Sequence, residues 1–374
     1  MKKVMKNPAI QALVASLICI ALGILIGYIV LLFINPSGAG EAIVTVLKSF
    51  FKFSSSQLRV KNFGNTVAKT IPLLMCSLSI LFAYKVGLFN IGVAGQYVAG
   101  ACGCLYAGLA WGWHWFPCLL LAILCGCLFG FIVGLLKAYC NVNEVISGIM
   151  LNWISLYGTN TILSNVKEVA SPYTFYLSDV NPGALLPRIG LDKLFNNEYV
   201  TIAVPVAIII AVIVMILLDK TMFGYELKAT GFNKNAAKYC GMAEQRNIIV
   251  TLVIAGALAG FGAALFYLTG FTRWECTQSS VPGMGFNGIA AAFLGGLNPI
   301  GSIVSSFFIQ HITDGGSYVN TNYYCAQISD LISSVIIYLC GFVLFIKLAM
   351  NKMLSKEDKK VKPAGAEKEG GKQA

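Results

Sequence analysis

The sequence predicts an all-α, polytopic integral membrane protein. Three observations carry that fold class: composition, the length of the apolar runs, and the placement of charge. Of 374 residues, 57% are hydrophobic and 11% charged, whereas a soluble domain carries roughly a quarter charged residues. Apolar runs recur near 9–34, 66–84, 88–110, 116–137, 145–164, 200–218, 248–270, 287–311 and 325–347. Each approaches or exceeds the ~20 residues that a helix rising 1.5 Å per residue needs to cross hydrocarbon. No stretch is left for a large soluble domain.

The first run is longer than a signal-peptide core and is expected to stay as a first span. Segment 35–65 follows on the outside, where the amphipathic "EAIVTVLKSFFKF" predicts a short interfacial helix. Segment 166–199, with Pro172, Pro182, Gly183 and Pro187, reads as an external loop long enough to cap a pore or meet an external partner. Most of the 27 Lys and Arg residues fall inside if the N-terminus is cytoplasmic, as the positive-inside rule requires. Nine spans would put the Lys-rich end outside, so an even count is needed. The repair is placed in 287–311, where Gly295, Gly296, Asn298, Pro299 and Gly301 interrupt the run. Proline removes a helical donor and restricts the residue before it. The expectation is about ten membrane helices, including a broken or re-entrant pair near 287–311 that turns at membrane depth beside a cavity. Residues 1–350 form the membrane domain, with a polar cytoplasmic loop at 219–247. Residues 351–374 form a disordered cytoplasmic tail, being charged, Gly/Pro-containing and free of aromatics.

Polar residues at membrane depth are costly and so mark functional candidates. In "GLFNIGVAGQYVAGA", Gly87–Ala101, Gly92, Gly95 and Gly100 admit a neighbouring backbone, while Asn90 and Gln96 offer amides suited to a neutral, hydroxyl-rich ligand. For these two amides, substrate contact and helix-to-helix bonding stand equal. Asn143 and Glu144 read as a cap and first-turn acid; Asn152, deeper on the same helix, is a better pathway candidate, and Asn298 at the interruption is another. Asp330 is the acid placed within an apolar run and reads as a paired or water-facing structural group. Trp111, Trp113 and Trp115 read as interfacial anchors. The twelve cysteines lie mostly in apolar runs, where they act as small hydrophobes; Cys276 and Cys325 share an expected outer surface. Neither His114 nor His311 is assigned a ligand role, and no metal site or catalytic residue is expected. No G-x-x-x-x-G-K-[ST] pattern occurs, so ATP and its Mg²⁺ would have to act on a partner chain.

"GLFNIGVAGQ", "NEVISGIMLNWI", "GYELKATGFNKNAAKYCGM" and "GMGFNGIAAAFLGGLNPIG" together resemble permease subunits of bacterial ABC importers in the branched-chain amino acid and simple sugar superfamily. Within it, the chain looks most like the nucleoside-type permeases linked to a basic membrane lipoprotein. The likeness runs in order through most of 60–350. It implies a non-catalytic transport subunit in the bacterial cytoplasmic membrane, with both termini cytoplasmic. It also implies a second permease, a heterodimer being favoured over a homodimer, with ATPase subunits below and an external substrate-binding lipoprotein. The cargo would be a small neutral solute, a nucleoside first and a pentose or hexose second, not a nucleic acid polymer. In such importers a cytoplasmic permease helix sits in the ATPase, often marked E-A-A-x-x-x-G. Here Asn235, Ala236, Ala237 and Gly241 keep that spacing, with asparagine in place of the acid. Glu226 and Gly231 upstream complete the expected coupling set.

Alanines favour a helix there and glycines permit turns at its ends, and Lys234, Lys238 and Arg246 could meet acids on a partner. An ordinary basic loop is the plainer account, but topology needs only positive charge and not a compact helix between glycines, so coupling is the favoured reading. Two other classes make different predictions. An ion-coupled carrier would need a chain of intramembrane carboxylates or histidines, and a scaffold would need no cavity.

Overall fold

The computed structural model describes residues 8–320 and 322–324, with scattered positions from 331 to 352. Among the described residues the chain is helical, apart from two isolated β-bridges. The α-helices of six residues or more are, in order, α1 Pro8–Ile34, α2 Ala39–Lys48, α3 Ser56–Lys85, α4 Val93–Leu109, α5 Trp115–Cys140 and α6 Glu144–Leu163. There follow α7 Ala203–Lys220, α8 Met222–Phe232, α9 Lys234–Tyr239, α10 Glu244–Tyr267, α11 Met284–Leu294 and α12 Pro299–Ser317.

Five of these, α1, α3, α5, α7 and α10, are long and apolar enough to cross a membrane. The expected ten crossings are therefore supported only in part. Helices α4 and α11 are apolar but have 17 and 11 residues. Helices α6 and α12 have 20 and 19 residues, and their Asn, Ser and Thr side chains dilute the apolar run. Cys325, Asp330, most of the run at 325–347 and the tail after 352 lie outside the described residues.

The centre is a seam of small residues between α5 and α10. On α5, Gly126, Gly130 and Gly134 recur every fourth residue and so share one face. Across from them, a Cβ on Gly126 would collide with the Gly256 carbonyl, one on Gly130 with the Leu252 carbonyl, and one on Gly256 with the Gly126 carbonyl. In lipid, apolar burial does not drive helices together, so such backbone contact is a main source of packing attraction. Helix α4 joins the same seam through Gly100 on Gly260, and α3 through Met75 on Gly262.

Two chain passes around this centre are interrupted. Helix α4 starts only after the non-helical stretch 86–92, which leaves α3 at Val86 and climbs back until Asn90 meets Ser79. Helix α11 is shorter still: Gly285 in its first turn lies against Ala94 of α4. Its far end, Phe293, packs on Tyr84, one residue before the end of α3, with ring centroids 5.2 Å apart.

The chain does break within 287–311, at 295–298 between α11 and α12. That turn sits level with the end of α3, and α12 is continuous for about 28 Å after Asn298 caps it. A second non-helical stretch, residues 276–283, precedes α11. Helix α2 also differs from expectation. It forms as predicted, but Ala39, Ala42 and Val46 are buried, and Gly315 of α12 lies directly under the Val46 carbonyl, so this face docks on protein rather than lipid.

Replacing Gly126 by Ala should destabilise the purified protein in detergent by about 1–3 kcal/mol, the usual overpacking cost. Gly158 on α6 has open space beside it, so Gly158→Ala should be neutral or stabilising by up to about 1 kcal/mol. Thermal unfolding of the two variants side by side checks the contrast.

Candidate functional site

The structure brings Asn90, Gln96 and Asn152 together at the interrupted pass. The Asn90 Nδ2 donates to Gln96 Oε1 (2.8 Å) and to Ser79 Oγ (3.2 Å), and Gln96 Nε2 returns a bond to Asn90 Oδ1 (3.3 Å). Asn152 Oδ1 accepts from the Gly95 amide (2.7 Å), while its Nδ2 donates to the Ile91 carbonyl (3.2 Å). Ser155 Oγ donates to the Gly95 carbonyl at 2.7 Å. All three amides are buried, and their bonds satisfy peptide groups and side chains that the interruption would otherwise strand. The glycines do what their spacing suggests: Gly92 lies on Gly148 and Gly95 on the Asn152 backbone. In this conformation the amide cluster braces α3, α4 and α6 together.

Asn298 stands apart from that cluster. It is exposed, and its Oδ1 accepts from the amides of Ile300 (2.9 Å) and Gly301 (3.3 Å) as the cap of α12. Asn143 caps α6 as expected, accepting from Val145 N at 2.8 Å, and Glu144 pairs with Lys137 at 2.8 Å.

The 219–247 loop folds into two short helices, not one. Thr221 caps α8 by accepting from Gly224 N (3.0 Å), and Asn233 caps α9 by accepting from Ala236 N (3.0 Å). Helix α9 ends before Gly241, whose φ of +81° suits a residue without a Cβ. Ala237 is buried, while Asn235 and Ala236 are exposed. Gly231 is not the turn expected: it lies inside α8, pressed against Val86 and Gly87, so that a Cβ there would collide with the Val86 carbonyl. The Gly87 φ of +78° marks the start of the interrupted stretch.

Charges in this loop also find partners within the chain. Arg246 pairs with Glu226 (3.8 Å) and Lys234 with Glu244 (3.7 Å), both exposed enough to contribute little stability. Glu226 further accepts from Asn247 Nδ2 (3.2 Å), which also donates to Thr230 Oγ1 (2.8 Å). Buried Asn247 thereby ties α8 to α10. Among the described residues Lys238 has no ion pair.

Sequence reasoning missed two features. Phe232 and Tyr239, 96% and 94% exposed, leave large aromatic surface on the loop, and Phe232 borders a groove of about 560 Å³ lined also by Gly87, Lys137, Glu144, Gly231 and Glu244. An aromatic residue in a polar loop was the available signal. The second is Asp314, buried on α12, which accepts from Thr66 Oγ1 (2.7 Å), Lys69 Nζ (2.9 Å) and Gln310 Nε2 (3.0 Å). Lys69 lies within α3. No group of three His, Cys, Asp or Glu side chains among the described residues is arranged to hold a metal ion.

The family described as branched-chain amino acid transport system permease component matches residues 62–341. The guanosine ABC transporter permease protein NupP of Bacillus subtilis is 32% identical over 298 residues, covering 78% of this chain and 84% of that protein. The nucleoside ABC transporter permease protein NupB of Lactococcus lactis is 30% identical over 383 residues, covering 98% and 100%. A second guanosine ABC transporter permease protein of B. subtilis, NupQ, is 26% identical over 253 residues, covering 65% and 77%. Sugar permeases are further relatives. No solved structure matches.

Asn90→Ala and Gln96→Ala should each destabilise the protein by about 1–3 kcal/mol, because each strands the other's amide. The double variant should cost less than the sum of the two, the signature of a shared bond in a double-mutant cycle. Denaturation of the four proteins in detergent measures that difference.

Proposed function

This chain belongs to the family of branched-chain amino acid transport system permease components, and we propose that its cargo is nucleosides, imported across the cytoplasmic membrane at the expense of ATP hydrolysed on a partner. The end-to-end likeness to a nucleoside permease carries this reading. Permease subunits are the non-catalytic transport components of such systems. Two distinct relatives named for guanosine transport in one organism support a heterodimer of this chain with a second permease. An ATPase and an external substrate-binding lipoprotein complete the assembly. The 221–243 face is cytoplasmic, with both termini on that side, and the opposite face, bearing 164–202, receives the solute.

Coupling follows from the contacts of the loop. The ATPase engages α9, around Asn235, Ala236 and Ala237, and the exposed Phe232 and Tyr239 rings. Displacement of α8 reaches Val86 and Gly87 through the bare Gly231 backbone, and from there the 86–92 stretch and the Asn90–Gln96 bonds. Gly241 closes α9, and Glu226 with Asn247 holds α8 to α10. Asn90, Gln96 and Asn152 serve the pathway by fixing the interrupted pass; Asn298 serves it by capping α12 at the 221–243 face.

A sugar cargo is the second reading, favoured by the further sugar-permease relatives. Ion-coupled transport has less support: the buried carboxylate at Asp314 is already held by three donors and, among the described residues, bonds no second acid.

Two measurements test the proposal. Cells carrying the complete system should take up labelled guanosine, unlabelled nucleosides should compete, and glucose should not; the reverse pattern would assign the chain to sugars. Gly231→Ala should cut uptake by about tenfold or more, as a misplacement near 1 Å does in other preorganised machinery, with the protein still reaching the membrane. Full uptake by that variant would remove the α8 to Gly87 contact from the coupling route.

A further inference from the structure

The strap that leads into α11 is exposed where a membrane chain cannot tolerate bare backbone. At its upper end it is latched to the 164–202 face: Thr174 N donates to the Trp274 carbonyl (2.9 Å), Cys276 N to the Pro172 carbonyl (2.8 Å), and Asn160 Nδ2 to the Gln278 carbonyl (2.9 Å). At its lower end Gly285 rests on Ala94. Asn160 stands eight residues above Asn152 on α6, and Asn152 bonds Gly95 beside Ala94. Residues 279–283 therefore descend about 12 Å through the membrane layer without helical structure.

Within this descent the backbone amides of Ser279, Ser280 and Val281 make no hydrogen bond among the described residues. The side chains of Ser279, Ser280 and Asn287 make none either. Thr277, Ser279, Ser280, Gly283 and Phe286 are exposed. Non-helical backbone at this depth persists only where protein buries it or water reaches it, and the chain itself does not bury it. The strap carries no charge between Thr277 and Asn287, and it sets hydroxyl and amide groups beside the open Phe286 ring.

We propose that residues 277–287 form a wall of the water-filled solute route, facing the second permease subunit. There Ser279, Ser280 and Asn287 bond a neutral solute's hydroxyls and Phe286 packs on its planar ring. This inference rests on the nucleoside-importer reading and adds where the solute touches the chain. The saturated amides of Asn90, Gln96 and Asn152 stand behind the wall and hold its crossing with α4. A neutral polar strip suits a solute without charge, and an aromatic face suits a base.

The test uses the complete transporter, with ATPase, second permease and lipoprotein, in liposomes. Ser279→Cys, Ser280→Cys and Asn287→Cys are exposed to a membrane-impermeant maleimide, and labelling is read as the increment over the parent with its native cysteines. Ile154→Cys on the exposed apolar face of α6 is the comparison. The strap cysteines should label about tenfold faster than Ile154→Cys, as water access requires, and saturating guanosine should slow them. Labelling as slow as at Ile154→Cys, or labelling that no transported solute slows, would overturn the proposal. If guanosine is transported without protecting the strap, the wall is wrong and the cargo right. If glucose is transported and protects it, the wall is right and the cargo wrong.

Discussion

A peptide group in hydrocarbon has no water to bond, and that constraint governs this architecture. Continuous helices meet it within themselves. The two interrupted passes, at 86–92 and 276–283, cannot, and the rest of the bundle is arranged around them. Packing at backbone distance supplies the rigid frame. Gly126, Gly130 and Gly134 of α5 meet Gly256, Leu252 and Ile249 of α10 in turn, and Gly100 on Gly260 brings α4 onto the same line. Against that frame the amides of Asn90, Gln96 and Asn152 satisfy the first interruption. The second is left open on one side.

The same contacts give the chain a mechanical route between its two faces. The 221–243 loop does not float beside the bundle: buried Asn247 ties it to α10, and Gly231 presses it onto the residue where α3 gives way to the 86–92 stretch. Contacts thus run from α8 to the pass that touches α11, at the Gly285–Ala94 crossing. On the opposite face, the strap is bonded to the 164–202 loop through Trp274 and Cys276. Both loops connect to the same crossing from opposite sides, the arrangement on which the proposed coupling rests.

Much of this was legible in the residues. Run length and composition gave a helical membrane protein, and Gly92, Gly95 and Gly100 marked close approaches that exist. The Asn235–Ala237 stretch does form a short helix, and 295–298 does interrupt the chain. What escaped was pairing between distant residues. Four-residue glycine spacing on α5 names a face but not the helix that meets it. Asn90 and Gln96 bond each other across a non-helical stretch whose path no periodicity encodes. Lys69 and Asp314 are far apart in the chain, so no local pattern pairs them. The non-helical stretch before α11 carries its own breaker pair, Pro282-Gly283, but that pair falls between two apolar runs and reads as an ordinary loop, whereas Pro299 interrupts a run and in fact opens a helix, where its missing N–H costs nothing.

The most direct measurement is ATP hydrolysis by the purified complex of this chain with its second permease, ATPase and lipoprotein, with each solute added in turn. The account predicts that nucleosides raise the rate while hexoses leave it unchanged, and that the stimulation disappears when α8 is uncoupled from Gly87. A rate indifferent to nucleosides, or solute uptake that an ion gradient drives without ATP, would contradict it.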